Sequence, residues 1–126
     1  MALRAGETDL FHPTYYNDYF LEEAVNIPFV VTVYDMIHEL FPEWFADDEV
    51  VLRKARLVEA AERVIAISES TKADLVQITG IDEDKVDVVP LASSIKFVKT
   101  DKRSLEKPTK YLLYVGQRAG YKNFSR

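Results

Sequence analysis

Phe29-Val30-Val31-Thr32-Val33-Tyr34 is a continuous run of β-branched and aromatic residues. An alternating pattern would mark a strand with one wet face. A continuous one predicts a strand covered on both faces, as in a parallel sheet. Three more short segments read as strands, Asp9–His12, Val64–Ile67 and Val86–Val89, and a fifth, Tyr111–Val115, stands apart. Helical patterns lie between them. From Asp47 to Ala61, residues Val50, Val51, Ala55, Leu57, Val58 and Ala61 form an apolar face. Arg53, Lys54, Arg56, Glu59 and Glu62 supply the polar one. A second helix is expected from about Ser70 to Thr79, with Ser70 or Thr71 as cap and Gly80 as stop.

Strand alternating with helix predicts an α/β fold: a parallel Rossmann-like sheet with flanking helices, incomplete here, plus the first strand of a second Rossmann-like domain. Residues 1–92 form the first part. Residues 93–109, rich in Ser, Lys and Thr and ending at Lys107-Pro108, read as an interdomain linker. Residues 110–126 open the second domain, and one strand cannot complete a domain. The 126-residue chain is therefore expected to be a piece of a larger protein.

Composition bounds the chemistry. No cysteine is present, which excludes a disulfide framework, a thiolate metal site and a cysteine nucleophile. No apolar run approaches the roughly 18 residues of a membrane span, and Met1-Ala2-Leu3-Arg4-Ala5 has no signal-peptide core, so a cytoplasmic location is expected. Residues 1–95 carry 7 basic and 19 acidic side chains, whereas residues 96–126 carry 9 basic and 2 acidic. An acidic body argues against nucleic-acid binding, which requires many phosphates to be neutralised. A basic tail suits a small phosphate ligand or a solvated linker.

Open α/β sheets bind ligands at the carboxyl ends of their strands. The polar residues there are His12 and Tyr15 after the first segment, Asp35 and His38 after the second, and Ser68 after the third. His12 could act as a base or hold a sugar hydroxyl; a structural hydrogen bond is the alternative. Asp35 alone lacks the acidic partner of a phosphoacceptor site. His38-Glu39-Leu40-Phe41-Pro42 has Pro where a zinc-protease helix needs its second His, and two histidines without cysteine argue against metal. Ten of the 15 aromatic residues fall between Phe11 and Phe45, as core or as stacking platforms for sugar rings. After the fifth segment, Gly116, Arg118 and Lys122 would place backbone amides and cations together, an arrangement suited to a diphosphate.

Taken in order, Asp9-Leu10-Phe11-His12-Pro13-Thr14-Tyr15-Tyr16, Val30 through Pro42, Ile65-Ala66-Ile67-Ser68-Glu69-Ser70-Thr71-Lys72-Ala73-Asp74-Leu75, Val88-Val89-Pro90-Leu91 and Tyr111 through Phe124 resemble a group 1 (family 4) glycosyltransferase. The resemblance covers nearly the whole chain. It implies two Rossmann-like domains facing a cleft, the GT-B fold, with the acceptor on the N-terminal domain and the nucleotide sugar on the C-terminal one. It further implies hexose transfer from a nucleotide diphosphate sugar to a carbohydrate or lipid-linked acceptor, as in polysaccharide biosynthesis, with retention and no obligatory cofactor or metal. A lipid-linked acceptor would bring the parent enzyme peripherally to a membrane.

On this reading Lys122 falls on the family lysine that contacts the donor diphosphate, with Arg118 and Gly116 beside it. Asp35 and His12 are the catalytic candidates, and Tyr15 and Ser68 the substrate-binding ones. Tyr34 stands where many members carry His before the Asp, and Gln117 follows Gly116 where Arg is common. The glycine-rich first loop and the paired glutamates of the family are not in this sequence, so the chain alone is expected to lack transferase activity. The competing reading is a non-catalytic α/β module that binds a carbohydrate or nucleotide. Donor, acceptor, linkage and oligomeric state are not legible in the sequence.

Overall fold

The structure is a computed structural model that describes residues 8–23, 27–45, 49–94, 110–116, 118 and 120–124. It divides into two compact units, Met1–Leu91 and Ala92–Arg126. In the first unit the described elements are α1 (Phe20–Glu23), β1 (Val30–Val33), α2 (Ile37–Leu40), α3 (Pro42–Phe45), α4 (Glu49–Ala60), β2 (Arg63–Ala66), α5 (Glu69–Thr79), a 3₁₀ turn (Glu83–Lys85) and β3 (Val86–Val88).

The three strands lie in the order β1-β2-β3, all parallel, as the sequence predicts. Register places Val31 beside Val64 and Val64 beside Val86, so these side chains share one face. That face is buried, together with Val33, Ala66 and the helix residues Leu57, Val58 and Leu75. The Thr32, Ile65 and Asp87 row on the other face is half-buried to exposed. Coverage of both faces, expected from the continuous apolar run, is thus complete on one side only among the described residues.

The Asp9–His12 segment contributes a single parallel bridge, Phe11 to Phe29, on the β1 edge away from β2. Phe11 N–H donates to Pro28 O and Val30 N–H to Phe11 O, both at 3.0 Å. Edge-to-face contacts tie this edge to the core, with Phe11 and Phe20 ring centres 4.8 Å apart and Phe20 and Phe29 5.1 Å apart. The aromatic cluster is therefore divided: Tyr16, Phe20 and Phe29 are core, while Tyr15, Tyr19, Phe41 and Trp44 are exposed.

The N-cap of helix α5 lies two or three residues before the predicted one. Ser68, not Ser70 or Thr71, is the N-cap; its Oγ accepts the Thr71 N–H at 3.1 Å. Gly80 ends the helix at φ 70°, the left-handed turn that lacks a Cβ penalty only in glycine. On α4 the buried stripe is Lys54, Leu57 and Val58, with Ala61 just past the helix end, and Ala55 is exposed. Lys54 thus belongs to the core face, a correction to the predicted polar face. Asp47, the expected start of this helix, lies outside the described residues. Lys85 Nζ donates to Glu59 O at 2.8 Å, satisfying a carbonyl at the α4 C-terminus.

In the second unit, Tyr111–Val115 forms no strand and is exposed throughout. A strand exists only as part of a hydrogen-bonded ladder, and no partner strand is present among the described residues. Beyond it a 3₁₀ turn covers Gly120–Lys122. Among the described residues, no helix is long and apolar enough to cross a membrane.

Candidate functional site

The carboxyl ends of β1 and β2 gather the polar residues of the first unit around Tyr34, the residue after β1. Tyr34 N–H donates to the Tyr16 hydroxyl at 3.0 Å, and Thr71 Oγ1 donates to Tyr34 O at 3.4 Å. Thr71 is in turn 3.0 Å from Ser68 Oγ. A hydrogen-bonded line therefore runs from the loop after the first segment, across the end of β1, to the start of α5.

Asp35 follows directly. Its carboxylate is exposed, and Oδ1 accepts the Ile37 N–H at 3.2 Å, closing a local turn that starts α2. His12 is also exposed, with Nε2 2.9 Å from Thr32 Oγ1, which fixes one edge of the ring. Tyr15 is 53% exposed and leans on Tyr16, ring centres 4.7 Å apart, so a flat apolar face is presented above a buried neighbour. Ser68 is half-buried, and its hydroxyl serves as the α5 cap. His38 stacks on Phe45 at 4.3 Å and an interplanar angle of 6°, packing α2 on α3.

Burial pushes the Tyr16 phenol well above the ordinary value, with Asp35 adding in the same sense, against the opposing Tyr34 hydrogen bond. It remains a neutral acceptor at physiological pH. Beneath the loop lies Lys54, only 2% exposed, whose Nζ donates to Asp35 O and Glu39 Oε2, each at 3.0 Å. The pattern Val50, Lys54, Leu57, Val58, Ala61 is the signal that could have placed this lysine on the buried face, since its spacing follows the helix stripe.

A cavity of about 690 Å³ lies between α4 and the end of α5, lined by Val51, Ala55, Val58, Leu75, Ile78 and Ile81 among others. Met36, Glu39 and Lys54 form part of its wall. Glu59, Thr79, Asp82 and Lys85 complete a mixed lining, and it includes none of His12, Tyr15, Asp35 or Ser68. The exposed strand ends are the better candidate.

The family model of Glycosyltransferase Family 4 matches residues 1–92, which include all four of these strand-end residues. The chain belongs to that family. Its general function is that of a glycosyltransferase, and the family's partners are nucleotide sugars and glycan acceptors. No curated protein matches this family 4 glycosyltransferase chain.

The match stops before Gly116, Arg118 and Lys122, which lie in the second unit. There Gly116 adopts φ 151°, Gly120 φ 61° and Asn123 φ 50°, three residues at positive φ among those described. The Arg118 guanidinium lies 4.8 Å from the Phe124 ring centre and Lys122 Nζ 4.5 Å from that of Tyr121. All three predicted residues are exposed. Of the segment expected to be a linker, residues 95–109 lie outside the described residues, as does Gln117.

Proposed function

We propose that this chain supplies the acceptor wall and the first donor contacts of a two-domain GT-B enzyme that moves a hexose from a nucleotide diphosphate sugar to a carbohydrate or lipid-linked acceptor. The observation that carries the reading is that the segments bearing Tyr15, Asp35 and Ser68 are joined after β1 through Tyr16, Tyr34 and Thr71, with His12 held on Thr32 of the same strand, in a family 4 match. Strand ends present side chains from different segments on a rigid frame, which is what positioning two substrates requires.

In this reading the acceptor lies on the exposed Tyr15 ring, whose face accommodates sugar C–H groups. His12, held by Thr32, and Ser68 fix acceptor hydroxyls. Asp35 takes the proton of the attacking hydroxyl as that oxygen bonds to the anomeric carbon and the bond from that carbon to the donor phosphate breaks. The nucleoside diphosphate leaves with the electron pair, and attack from the side of departure retains configuration. Gly116 amides with Arg118 and Lys122 stabilise the charge growing on the diphosphate. The protein cations do this work without a metal or other cofactor.

Steady-state transfer by the full-length enzyme with labelled nucleotide sugars tests the proposal. Asp35→Asn is expected to lower kcat by about 10²-fold or more, in the range of general-base catalysis. His12→Ala is expected to raise the acceptor KM with little change in the donor KM. Full activity in both variants would remove the first unit's strand ends from the reaction.

A further inference from the structure

We propose that Lys54 is a positioning residue of the strand-end site, holding the Asp35 peptide so that its carboxylate stands where an acceptor can meet it. The inference rests on the functional reading above, in which Asp35 contacts the acceptor.

Two peptide planes flank the Asp35 α-carbon, and each is held by a different helix. The plane before it is held through Tyr34 O by Thr71 of α5, at 3.4 Å. The plane after it is held through Asp35 O by Lys54 of α4, at 3.0 Å. The same ammonium binds Glu39, whose side chain is 10% exposed, and lies 5.0 Å from the centre of the Tyr16 ring. Two of its three N–H donors are thus spent on residues 35–39. An aliphatic residue at this point of the α4 stripe would pack the core without the desolvation cost of a buried ammonium. What the charge adds is a fixed geometry for residues 35–39. Helix α2 has no buried residue of its own to hold it, and the ion pair is a polar link from it to α4.

The test is amide hydrogen exchange on this chain, comparing wild type, Lys54→Met and the double variant Lys54→Met/Glu39→Met. The double variant removes both charges and so leaves no stranded carboxylate, which keeps the fold available if the single variant collapses. The expected result is a tenfold or greater loss of protection at Tyr34 and Ile37, with Val64 and Ile65 in β2 unchanged. Equal loss at all four amides, or no loss, overturns the proposal, because a lysine that only stabilises the fold would act on all of them together.

In the full-length enzyme the double variant should lower acceptor kcat/KM at least tenfold while the donor KM stays within twofold. Should Asp35→Asn abolish transfer while the double variant keeps it, the positioning role falls and the functional reading stands. Should Asp35→Asn keep full transfer, the functional reading falls, and with it the role of Lys54 toward it.

Discussion

The Tyr16 hydroxyl accepts the backbone N–H of Tyr34 at 3.0 Å, across a separation of 18 positions, and so fixes the end of β1 to the loop that carries Tyr15. An amide just past the end of a strand has lost its ladder partner and needs another. Tyr16 supplies it, while its ring packs in the core and carries the Lys54 ammonium on its face. One side chain therefore couples the aromatic core to the candidate site.

Tyr16→Phe should leave the core filled but strand the Tyr34 amide. The expected destabilisation is about 0.5–1.5 kcal/mol, the net worth of one hydrogen bond at a part-buried amide, read from urea unfolding. A change below a few tenths of a kcal/mol would mean that water replaces the hydroxyl.

The same phenol gives a pH dependence. Burial raises its folded-state pKa above the ordinary 10.0, so the folded state retains this proton after the unfolded chain has lost it. Its contribution is fully present below pH 10 and declines as pH rises above that value. Wild type should thus lose stability above pH 10 more steeply than Tyr16→Phe, when melting temperature is followed against pH. Parallel curves for the two proteins would count against the assignment.

Ser68→Ala removes the α5 cap and should cost about 1 kcal/mol, with Ser68→Asp recovering most of it. Chemical denaturation of the three proteins checks the order. Were Ser68 purely a ligand for substrate, none of these changes would move the unfolding midpoint.

Gly80→Ala tests backbone conformation without packing. A Cβ built there meets nothing within 4 Å, so any loss comes from the φ of 70°. The expected loss is about 1–2 kcal/mol, and Gly80→Asn should lose less, because asparagine tolerates this region. Equal stability of the alanine variant would show that the α5 terminus relaxes.

Lys122→Ala concerns the second unit and the donor. In the full-length enzyme kcat should fall by about 10²-fold, as for loss of one preplaced donor to a developing anion. The far-ultraviolet dichroism should not change, since Lys122 is exposed. Near-normal turnover would discard its role at the diphosphate.

The sequence by itself determined the parallel sheet, because a β-branched run like Phe29–Tyr34 followed by a helical stripe has few other ways to bury its surface. It also marked Gly80 as a stop and drew attention to His12, Tyr15, Asp35 and Ser68, since strand ends and helix starts have local signatures. It misplaced what depends on neighbours distant in the chain. Charge alone put Lys54 on the solvent side of α4, whereas the partners that make its burial tolerable, Asp35 O and Glu39, come 15 or more positions earlier. Apolar content alone made Tyr111–Val115 a strand, but a ladder needs a second strand and a helix does not. The joining of Tyr16, Thr71 and Lys54 on the two residues after β1 is likewise a property of the packed structure, because hydrogen bonds between segments are set by where the sheet and helices bring them, not by their order in the chain.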